Sequence, residues 1–447
     1  MKIKNWLENL ILLFIFLLPW PTAWIWQEGF INGDKWQYGT MVVYGTEALL
    51  WLVFIFFIFF LFKERKLRIT NYEFRINDLI FNFKNSVIKN LFKIHHSKLK
   101  IYFALLFLLI WSFFSIFWSG NHELAFYRWF ILAEAMAFFS IITKLSINKV
   151  KIYWTLVLAG IIQSILAVSQ FLAQNISANK WLGIAAHSPA TLGDIVVEAG
   201  GRFLRAYGSF SHPNILGGFL AVCFLVAFYL YFKETNWPRR FLLSASMILI
   251  SAGLFFSFSR SAWLAGLVGY IVLLVICIKQ KENRLALIRI NIYLAVFLVS
   301  FFIIFQPLIL TRLADDSRLE KKSLDERVSA AQEAGEVIKA HWFSGVGIGN
   351  YTNYLHQQNP NLKAWAYQPA HNIYMMVCSE LGFVGLIVLM FLCFHVFMIG
   401  LKNKNWLAIS VLMALALVGL FDHYLWTSYF GLVFWFLIMG LTAENSA

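Results

Sequence analysis

Residues 213–232, "PNILGGFLAVCFLVAFYLYF", decide the fold class because they form an almost unbroken apolar run. A helix needs about 20 such residues to cross the hydrocarbon core of a bilayer. Similar runs recur from one end of the 447-residue chain to the other, and no separate polar domain stands between them. We therefore expect an all-α polytopic integral membrane protein with a single transmembrane domain over residues 1–447.

The composition supports this class and excludes an ordinary soluble protein. Hydrophobic residues make up 60% of the chain, aromatic residues 18% and charged residues only 13%. A net charge of +14 would suggest a nucleic-acid partner in a soluble protein. In a membrane chain the distribution of the basic residues matters more than their sum, so we expect no nucleic acid.

The apolar runs predict about twelve transmembrane helices. Their approximate bounds are 7–26, 41–62, 101–118, 125–143, 152–173, 213–232, 241–258, 262–278, 290–310, 372–399, 406–421 and 427–443. With the N-terminus in the cytoplasm, most Lys and Arg residues fall in cytoplasmic segments, as the positive-inside rule requires. The prediction is a multi-pass membrane protein with both termini cytoplasmic.

Three connecting segments are long enough to have roles of their own. Segment 63–100 is basic and partly amphipathic, which predicts a cytoplasmic interfacial segment that contacts membrane lipids. Segments 174–212 and 311–371 are predicted to be extracytoplasmic loops. Ser323 and Glu326 form a capping-box pattern in the second loop, so a helix is expected to begin there.

Three arginines are predicted to lie at the outer membrane face. Arg260 interrupts the apolar sequence "FFSFSRSAWLAGL", and Arg205 and Arg327 lie in the two long outer loops. Arg260 could simply snorkel to the headgroups, and the other two could be exposed. Together they suit a phosphate ligand, because the guanidinium fork matches phosphate oxygens. A lipid-linked pyrophosphate would place its tail among the spans.

His371 is the histidine best placed for acid-base chemistry, since it stands where the main outer loop meets the tenth span. The plainer alternative is a hydrogen bond to a carbonyl at the helix mouth. No histidine has the HExxH spacing of a metal site, so neither a metal nor a cofactor is expected. "GVGIGNY" (345–351) predicts a tight backbone turn rather than a phosphate loop. Arg128 and Glu134, in the fourth span, are candidate interhelical partners.

Four segments together resemble the O-antigen ligase and polymerase family of bacterial membrane proteins. They are "RAYGSFSHPNILGGFLA", "SRSAWLAG", "ERVSAAQEAGEVIKAHWFSGVGIGNY" and "HNIYMMVCSELGFVGLI", and they cover roughly residues 200–390 in the family's order. The resemblance implies a GT-C-like helical fold with a helix-containing loop before the tenth span. It also implies transfer of a glycan from undecaprenyl pyrophosphate to an acceptor hydroxyl, the acceptor being a glycan, lipid or protein.

The resemblance also implies roles for particular residues. Arg260, Arg327 and His371 match the functional set of the ligases, in which the second arginine opens the loop helix. We expect the arginines to bind the pyrophosphate and His371 to act as general base, with inversion. The expected substrate-binding residues are Arg205, Tyr207, His212, Asn214 and Asn372.

Two other functions stay open at this stage. A polymerase of the same family would extend the lipid-linked glycan instead of passing it to a different acceptor. A secondary transporter or lipid flippase could also have twelve spans, and Glu47, Glu134 and Glu380 would be its candidate intramembrane charges.

Overall fold

The computed structural model of the chain describes residues 2–75, 87–145, 147–280, 283–314 and 318–444, which form a helical bundle with short strands in its connections. The helices are α1 Lys2–Leu17, α2 Gly45–Arg75, α3 Val87–Phe114, α4 His122–Leu145, α5 Lys149–Ala173, α6 Pro213–Lys233, α7 Trp237–Phe256, α8 Arg260–Lys279, α9 Arg284–Ile304, α10 Gln306–Ala314, α11 Arg318–Ala340, α12 Tyr351–Gln358, α13 Ile373–Lys402, α14 Trp406–Phe421, α15 Tyr424–Thr427 and α16 Tyr429–Ala443. The strands are β1 Ala23–Gln27, β2 Phe30–Ile31, β3 Asp34–Lys35, β4 Met41–Tyr44, β5 Val196–Glu198 and β6 Arg202–Leu204.

The prediction of a polytopic helical membrane protein is confirmed. Within the described residues, nine helices are long and apolar enough to cross a membrane, and each overlaps one predicted span. The other three predicted spans correspond to the shorter helices α1, α14 and α16. The count of twelve spans and the GT-C-like architecture stay predictions. So does the interfacial role of segment 63–100, because the side chains of residues 64–97 lie outside the described part of the structure.

The first two predicted spans differ from the structure at the ends that face each other. Helix α1 ends at Leu17, and residues 23–27 and 41–44 form the antiparallel pair β1–β4. Pro19 and Pro21 explain the first difference, because proline has no amide hydrogen to continue a helix. The strand sequences AWIWQ and MVVY are rich in aromatic and β-branched residues, which favour extended backbone. Strands β2 and β3 form a small hairpin between them.

The apolar run 213–232 forms the central helix of the bundle. In α6, 94% of the apolar window is buried, against 17% in α9, which leaves most of α9 facing the surroundings. Helix α6 packs against α5, α7, α8 and α14. Two glycines allow these close contacts. A Cβ on Gly217 would meet Ala262 and Ser257 at 2.8 Å, and one on Gly218 would clash with the Tyr424 hydroxyl.

Helix α13 is broken at Gly382, whose φ of 69° and ψ of −175° are not helical. The break exposes backbone groups inside the bundle, and such groups are costly unless they are paired. The segment before α12 pairs with them. Val346 N donates to Ser379 O, Gly347 N donates to Glu380 O, and Phe383 N donates to Trp342 O, at 2.7–2.9 Å. The Trp111 indole donates to Leu381 O at 2.9 Å.

The "GVGIGNY" segment therefore supports the broken helix, and its prediction as a tight turn is confirmed. Gly345, Gly347 and Gly349 all have positive φ, between 68° and 97°. A Cβ on Gly345 would lie 2.3 Å from the Glu380 carbonyl carbon, so only glycine lets the turn approach α13 this closely. The first half of α13, which begins two residues after His371, is fixed by these contacts.

Gly382→Ala should destabilise the protein by about 1–3 kcal/mol, because alanine is strained at positive φ and its Cβ would clash with the Phe343 carbonyl. Gly335→Ala is the matched control. Gly335 lies within α11 with open space around its Cβ position, so alanine should leave stability equal or slightly higher. Thermal unfolding in detergent, followed by the loss of the monodisperse chromatographic peak, measures both. Equal melting temperatures for the two variants would contradict the proposed role of the break.

Candidate functional site

A cavity of about 790 Å³ opens at one end of the bundle. This end, called the loop face below, carries the connections 18–44, 174–212, 305–372 and 422–428. The cavity lies between the β1–β4 hairpin, the first turns of α4 and α6, one side of α11, and the approaches to α13 and α15. His212 and His371, both predicted from the sequence, line it together with Asp422 and His423.

His371 lies in the cavity beside Asp422 and His423. One nitrogen or oxygen from each of these three side chains lies within 4.8 Å of the other two. The His371 and His423 rings are 5.3 Å apart. Nδ1 of His371 is buried, and no group in the described residues hydrogen-bonds to it. The plainer alternative predicts that His371 hydrogen-bonds to a carbonyl at the helix mouth, and Nδ1 makes no such bond. His423 Nδ1, by contrast, is 2.6 Å from the Thr427 hydroxyl.

A chain of hydrogen bonds connects Arg205 to Asp422 through Asn214. Arg205 Nε donates to the Ser257 carbonyl and its Nη2 donates to Asn214 Oδ1, both at 2.7 Å. Asn214 Nδ2 then donates to Asp422 Oδ2 at 2.8 Å. Arg205 and Asp422 are each only 5% exposed. The amide oxygen of Asn214 thus accepts from the buried cation, and its amide nitrogen donates to the buried anion.

The charges of this group follow from its burial. Burial lowers the pKa of His371; Asp422 opposes the change, and Arg327 adds to it. Burial likewise lowers the pKa of His423 to about 4 and that of His212 to about 3. Burial raises the pKa of Asp422, but the neighbouring histidines and the Asn214 hydrogen bond lower it more. Near pH 7 the histidines are therefore neutral beside an ionised Asp422.

A second cluster joins two arginines through one buried carboxylate. Glu320, 2% exposed, pairs with Arg260 at 3.3 Å and also with Arg312. Arg260 donates to the Arg312 carbonyl at 3.2 Å, and Arg312 donates to the Phe258 carbonyl at 2.8 Å. The charge of Arg327 acts on residues of both clusters: it lowers the pKa of Arg312 in this cluster and the pKa of Arg205 and His371 in the first. Arg260 and Arg312 thus share one buried carboxylate, and the charge of Arg327 acts on Arg312.

An apolar cleft of about 390 Å³ adjoins this arginine cluster. Phe171, Phe305 and Leu308 line it, and its rim residues Leu172 and Ile304 are 70% and 66% exposed. Phe171 also packs against Phe258, with ring centroids 5.7 Å apart. The Phe258 carbonyl accepts the hydrogen bond from Arg312. One aromatic residue therefore separates the cleft from the arginines.

The structure distributes the residues predicted from the sequence over these clusters. His371, His212 and Asn214 surround Asp422, while Arg260 lies with Arg312 and Glu320. Tyr207 is 3% exposed, stacks on His187 with ring centroids 4.0 Å apart and accepts from Ile195 N. Asn372 caps α13, accepting from Tyr374 N and Met375 N. The substrate contacts predicted for Tyr207 and Asn372 stay predictions.

Two details of the loop helix are wrong in the sequence reading. Helix α11 begins at Arg318, so Ser323 and Glu326 lie inside it and do not form a cap. Arg327 consequently lies in the middle of the helix instead of opening it. The helix starts earlier because the acidic and basic side chains of RLEKK are good helix formers, and Glu320 is anchored by the two arginines.

Asp422, Arg312 and Glu320 were missed by the sequence reading. A signal for Asp422 was present, since "FDHYLW" sets a carboxylate and a histidine between two apolar runs at the loop face. Arg312 and Glu320 fall in a loop with many charged residues, where neither stands out. Arg128 was proposed as an interhelical partner. It does join two helices, because from α4 it donates to the carbonyl of Thr427 in α15 at 2.6 Å, and it also lines the cavity.

His371, Asp422 and His423 are also the one group of described residues whose spacing could hold a metal ion. Two features disfavour a resident cation. Asp422 already accepts hydrogen bonds from Asn214 and from His423 N. The charges of Arg128 and Arg327 also act on the two histidines, which raises the free energy of a cation there.

Comparison with known proteins identifies part of the chain. Residues 245–390 match the family model described as O-antigen ligase. This segment belongs to the O-antigen ligase family. The resemblance seen in the sequence is thereby confirmed for a segment that includes Arg260, Arg312, Glu320, Arg327 and His371.

The family match carries a general function with it. O-antigen ligases and polymerases are membrane enzymes of glycan biosynthesis that use lipid-linked glycan donors and glycan acceptors. The "RAYGSFSHPN" segment and Asp422 lie outside the matched residues, so their part in the site rests on the geometry alone. No curated protein matches the chain.

Proposed function

We propose that this O-antigen ligase-like protein transfers a glycan from undecaprenyl pyrophosphate to an acceptor hydroxyl at the loop face, which we take to be the outer face of the bacterial cytoplasmic membrane. The observation that carries the proposal is the unpartnered, buried Nδ1 of the neutral His371, which lies in the cavity beside an ionised Asp422. A neutral imidazole near a carboxylate is suited to accept a proton.

The donor is proposed to bind between the arginine cluster and the apolar cleft. Its isoprenoid tail occupies the cleft lined by Phe171, Phe305 and Leu308. Its pyrophosphate replaces the Glu320 carboxylate as the ion-pair partner of Arg260 and Arg312. Arg327, near both clusters, faces the glycosidic end of the pyrophosphate. The arginines stabilise the negative charge that grows on the leaving pyrophosphate.

The chemical step is a single displacement. The acceptor oxygen attacks the anomeric carbon, the bond from that carbon to the pyrophosphate oxygen breaks, and His371 takes the proton from the acceptor. Asp422 stabilises the imidazolium that results, as a carboxylate within 4.8 Å can. A single displacement inverts the anomeric configuration, and neither a metal nor a second catalytic carboxylate takes part.

A ligase is favoured over a polymerase because the family model that matches is the O-antigen ligase model, although polymerases belong to the same family. Transport is the weaker alternative. Glu380, one of its candidate charges, accepts a hydrogen bond from the Trp426 indole and is 3% exposed. The ionisable groups that line the cavity gather instead at the loop face.

His371→Ala should lower glycan transfer by at least about 100-fold, because the acceptor proton loses its base. The matched control is His395→Ala, in the second half of α13 beyond the break at Gly382, and it should transfer at the parent rate. Purified enzymes in proteoliposomes with a defined undecaprenyl pyrophosphate glycan and an acceptor panel measure this, by product mass. A His371→Ala enzyme as fast as the parent would rule out the general base.

Arg260→Ala should lower transfer by about 100-fold, and Arg260→Lys should recover only part of it, because a point charge does not reproduce the guanidinium fork. Arg239→Ala is the matched control: Arg239 lies at the opposite end of the bundle with a 66% exposed side chain. Binding of the lipid donor to each variant separates this effect from misfolding. Full donor affinity in Arg260→Ala would contradict the proposed pyrophosphate site.

Chelation separates the base mechanism from a metal mechanism at the same three residues. Transfer should continue unchanged in excess EDTA, and the purified protein should contain less than one equivalent of Zn²⁺ or Mn²⁺. Loss of transfer in EDTA, with recovery on addition of one of these ions, would instead assign His371, Asp422 and His423 as metal ligands.

A further inference from the structure

Arg128 has a place in the cavity that the proposed chemistry does not use. Of the described residues that line the cavity, it is the one Lys or Arg side chain. Arg205, Arg260 and Arg327 are not among the described residues that line the cavity, whereas Arg128 is. Three carboxylate residues, Glu326, Glu333 and Asp422, line the same cavity, so the guanidinium of Arg128 gives it one defined place for an anionic group.

Two backbone carbonyls hold the Arg128 guanidinium in place. Its Nη1 donates to the Thr427 carbonyl at 2.6 Å, and its Nη2 is 3.4 Å from the Tyr38 carbonyl. Neither partner is charged, and no described carboxylate pairs with it within 4.0 Å. Glu380 shares a small adjoining space with Arg128, but its carboxylate accepts from the Trp426 indole.

Gly349 gives the Arg128 stem its position. Its φ is +68°, and a Cβ there would lie 2.2 Å from Arg128 Cγ. The aliphatic part of the arginine therefore lies in a space that exists only because residue 349 is glycine. Two backbone carbonyls and this glycine together fix the direction of a cation toward the cavity, which is a preorganised arrangement for binding.

Contacts across the site set Arg128 apart from the proposed donor site. Arg205 lies close enough to Arg312 of the donor cluster for the two charges to interact, and it connects through Asn214 to Asp422, next to His371 and His423. Beyond them, the His423 ring meets Tyr38 at 6.0 Å between centroids, and the Tyr38 carbonyl faces Arg128. The two arginines are thus at opposite ends of a continuous row of contacts with His371 beside its middle. In a single displacement the acceptor must approach from the side opposite the leaving group.

The wall around Arg128 has the chemistry of a sugar site. Tyr38, Tyr127 and Trp365 offer aromatic surface, and the Trp365 side chain is 68% exposed. The Tyr38 hydroxyl donates to Gln368 Oε1 at 3.0 Å, and Gln368 Nε2 donates to the Trp365 carbonyl at 2.9 Å, which orients the Gln368 side chain and leaves one of its amide hydrogens for a sugar hydroxyl. Aromatic faces with a few oriented polar groups are typical of small-molecule sites.

We propose that this end of the cavity is the acceptor subsite, and that Arg128 selects an acceptor sugar that carries an anionic group, phosphate or carboxylate. The inference rests on the proposed function, because it places the acceptor opposite the donor pyrophosphate. Arg128 is a specificity-determining residue here: it binds the acceptor's charge and takes no part in breaking or forming bonds.

Equilibrium binding of sugars to the purified full-length protein tests the subsite without requiring transfer. The probes are glucose 6-phosphate, glucuronate and glucose, with inorganic phosphate as a competitor. The parent should bind both charged sugars at least about 10-fold more tightly than glucose, which one charge-assisted contact supplies. Phosphate alone should compete weakly, because it lacks the ring that meets the aromatic wall.

The variants assign the preference to Arg128. Arg128→Gln should bind all three sugars equally weakly, and Arg128→Lys should keep part of the preference for glucose 6-phosphate. Arg260→Ala should retain the full preference. Unchanged preference in Arg128→Gln, loss of it in Arg260→Ala, or a parent without preference would each overturn the proposal. If Arg128→Gln weakened the binding of glucose as much as that of the charged sugars and also lowered the melting temperature, Arg128 would have a structural role and the proposal would be overturned as well.

The outcome is separate from that of the proposed function. If His371→Ala transferred glycan normally while Arg128→Gln lost the preference for charged sugars, the anion subsite would stand and the base would fail. If transfer depended on His371 but the preference did not depend on Arg128, the function would stand and the subsite would fail.

Discussion

The Asn214 side chain, bonded to Arg205 on one side and Asp422 on the other, is the contact on which the site depends. A buried carboxylate and a buried guanidinium at the membrane edge are each costly without a partner. Asn214 gives each of them a hydrogen bond and thereby ties the start of α6 to the turn between α14 and α15. The same contact helps to keep Asp422 ionised, and an ionised Asp422 is what the neutral His371 needs beside it.

A second constraint holds His371 from the other side. The break at Gly382 lets the first half of α13 bend away from the second half, and the glycine turn at 345–349 satisfies the backbone groups that the break exposes. Gly349 in the same turn gives room to the Arg128 stem. One glycine-rich segment thus supports both the helix that follows His371, the proposed base, and Arg128, the cation proposed to recognise the acceptor.

The long apolar helices could be predicted from the sequence, because a span needs about 20 consecutive apolar residues. Runs of that length are visible in the sequences of α6 and α9. Pro19 and Pro21 indicate an earlier end of the first span than its apolar run predicts. His371 and Arg260 were found because a polar residue at a helix mouth stands out against apolar sequence. The contacts of Asp422 with Asn214 and of Glu320 with Arg260 join helices far apart in the chain, and no local pattern reports such contacts. The cavity itself, and the fact that Arg128 lines it whereas Arg205 does not, can be seen only in the structure.

The central claim is a direct displacement at the anomeric carbon by an acceptor that His371 deprotonates. It is tested most directly by placing a heavy oxygen isotope in the atom that joins the glycan to undecaprenyl pyrophosphate, and weighing both products after transfer by the purified protein. The account predicts that all of the label stays in the released lipid pyrophosphate and that the glycan is linked with inverted configuration. Label in the transferred glycan, or an intact donor that has only crossed the bilayer, would contradict it.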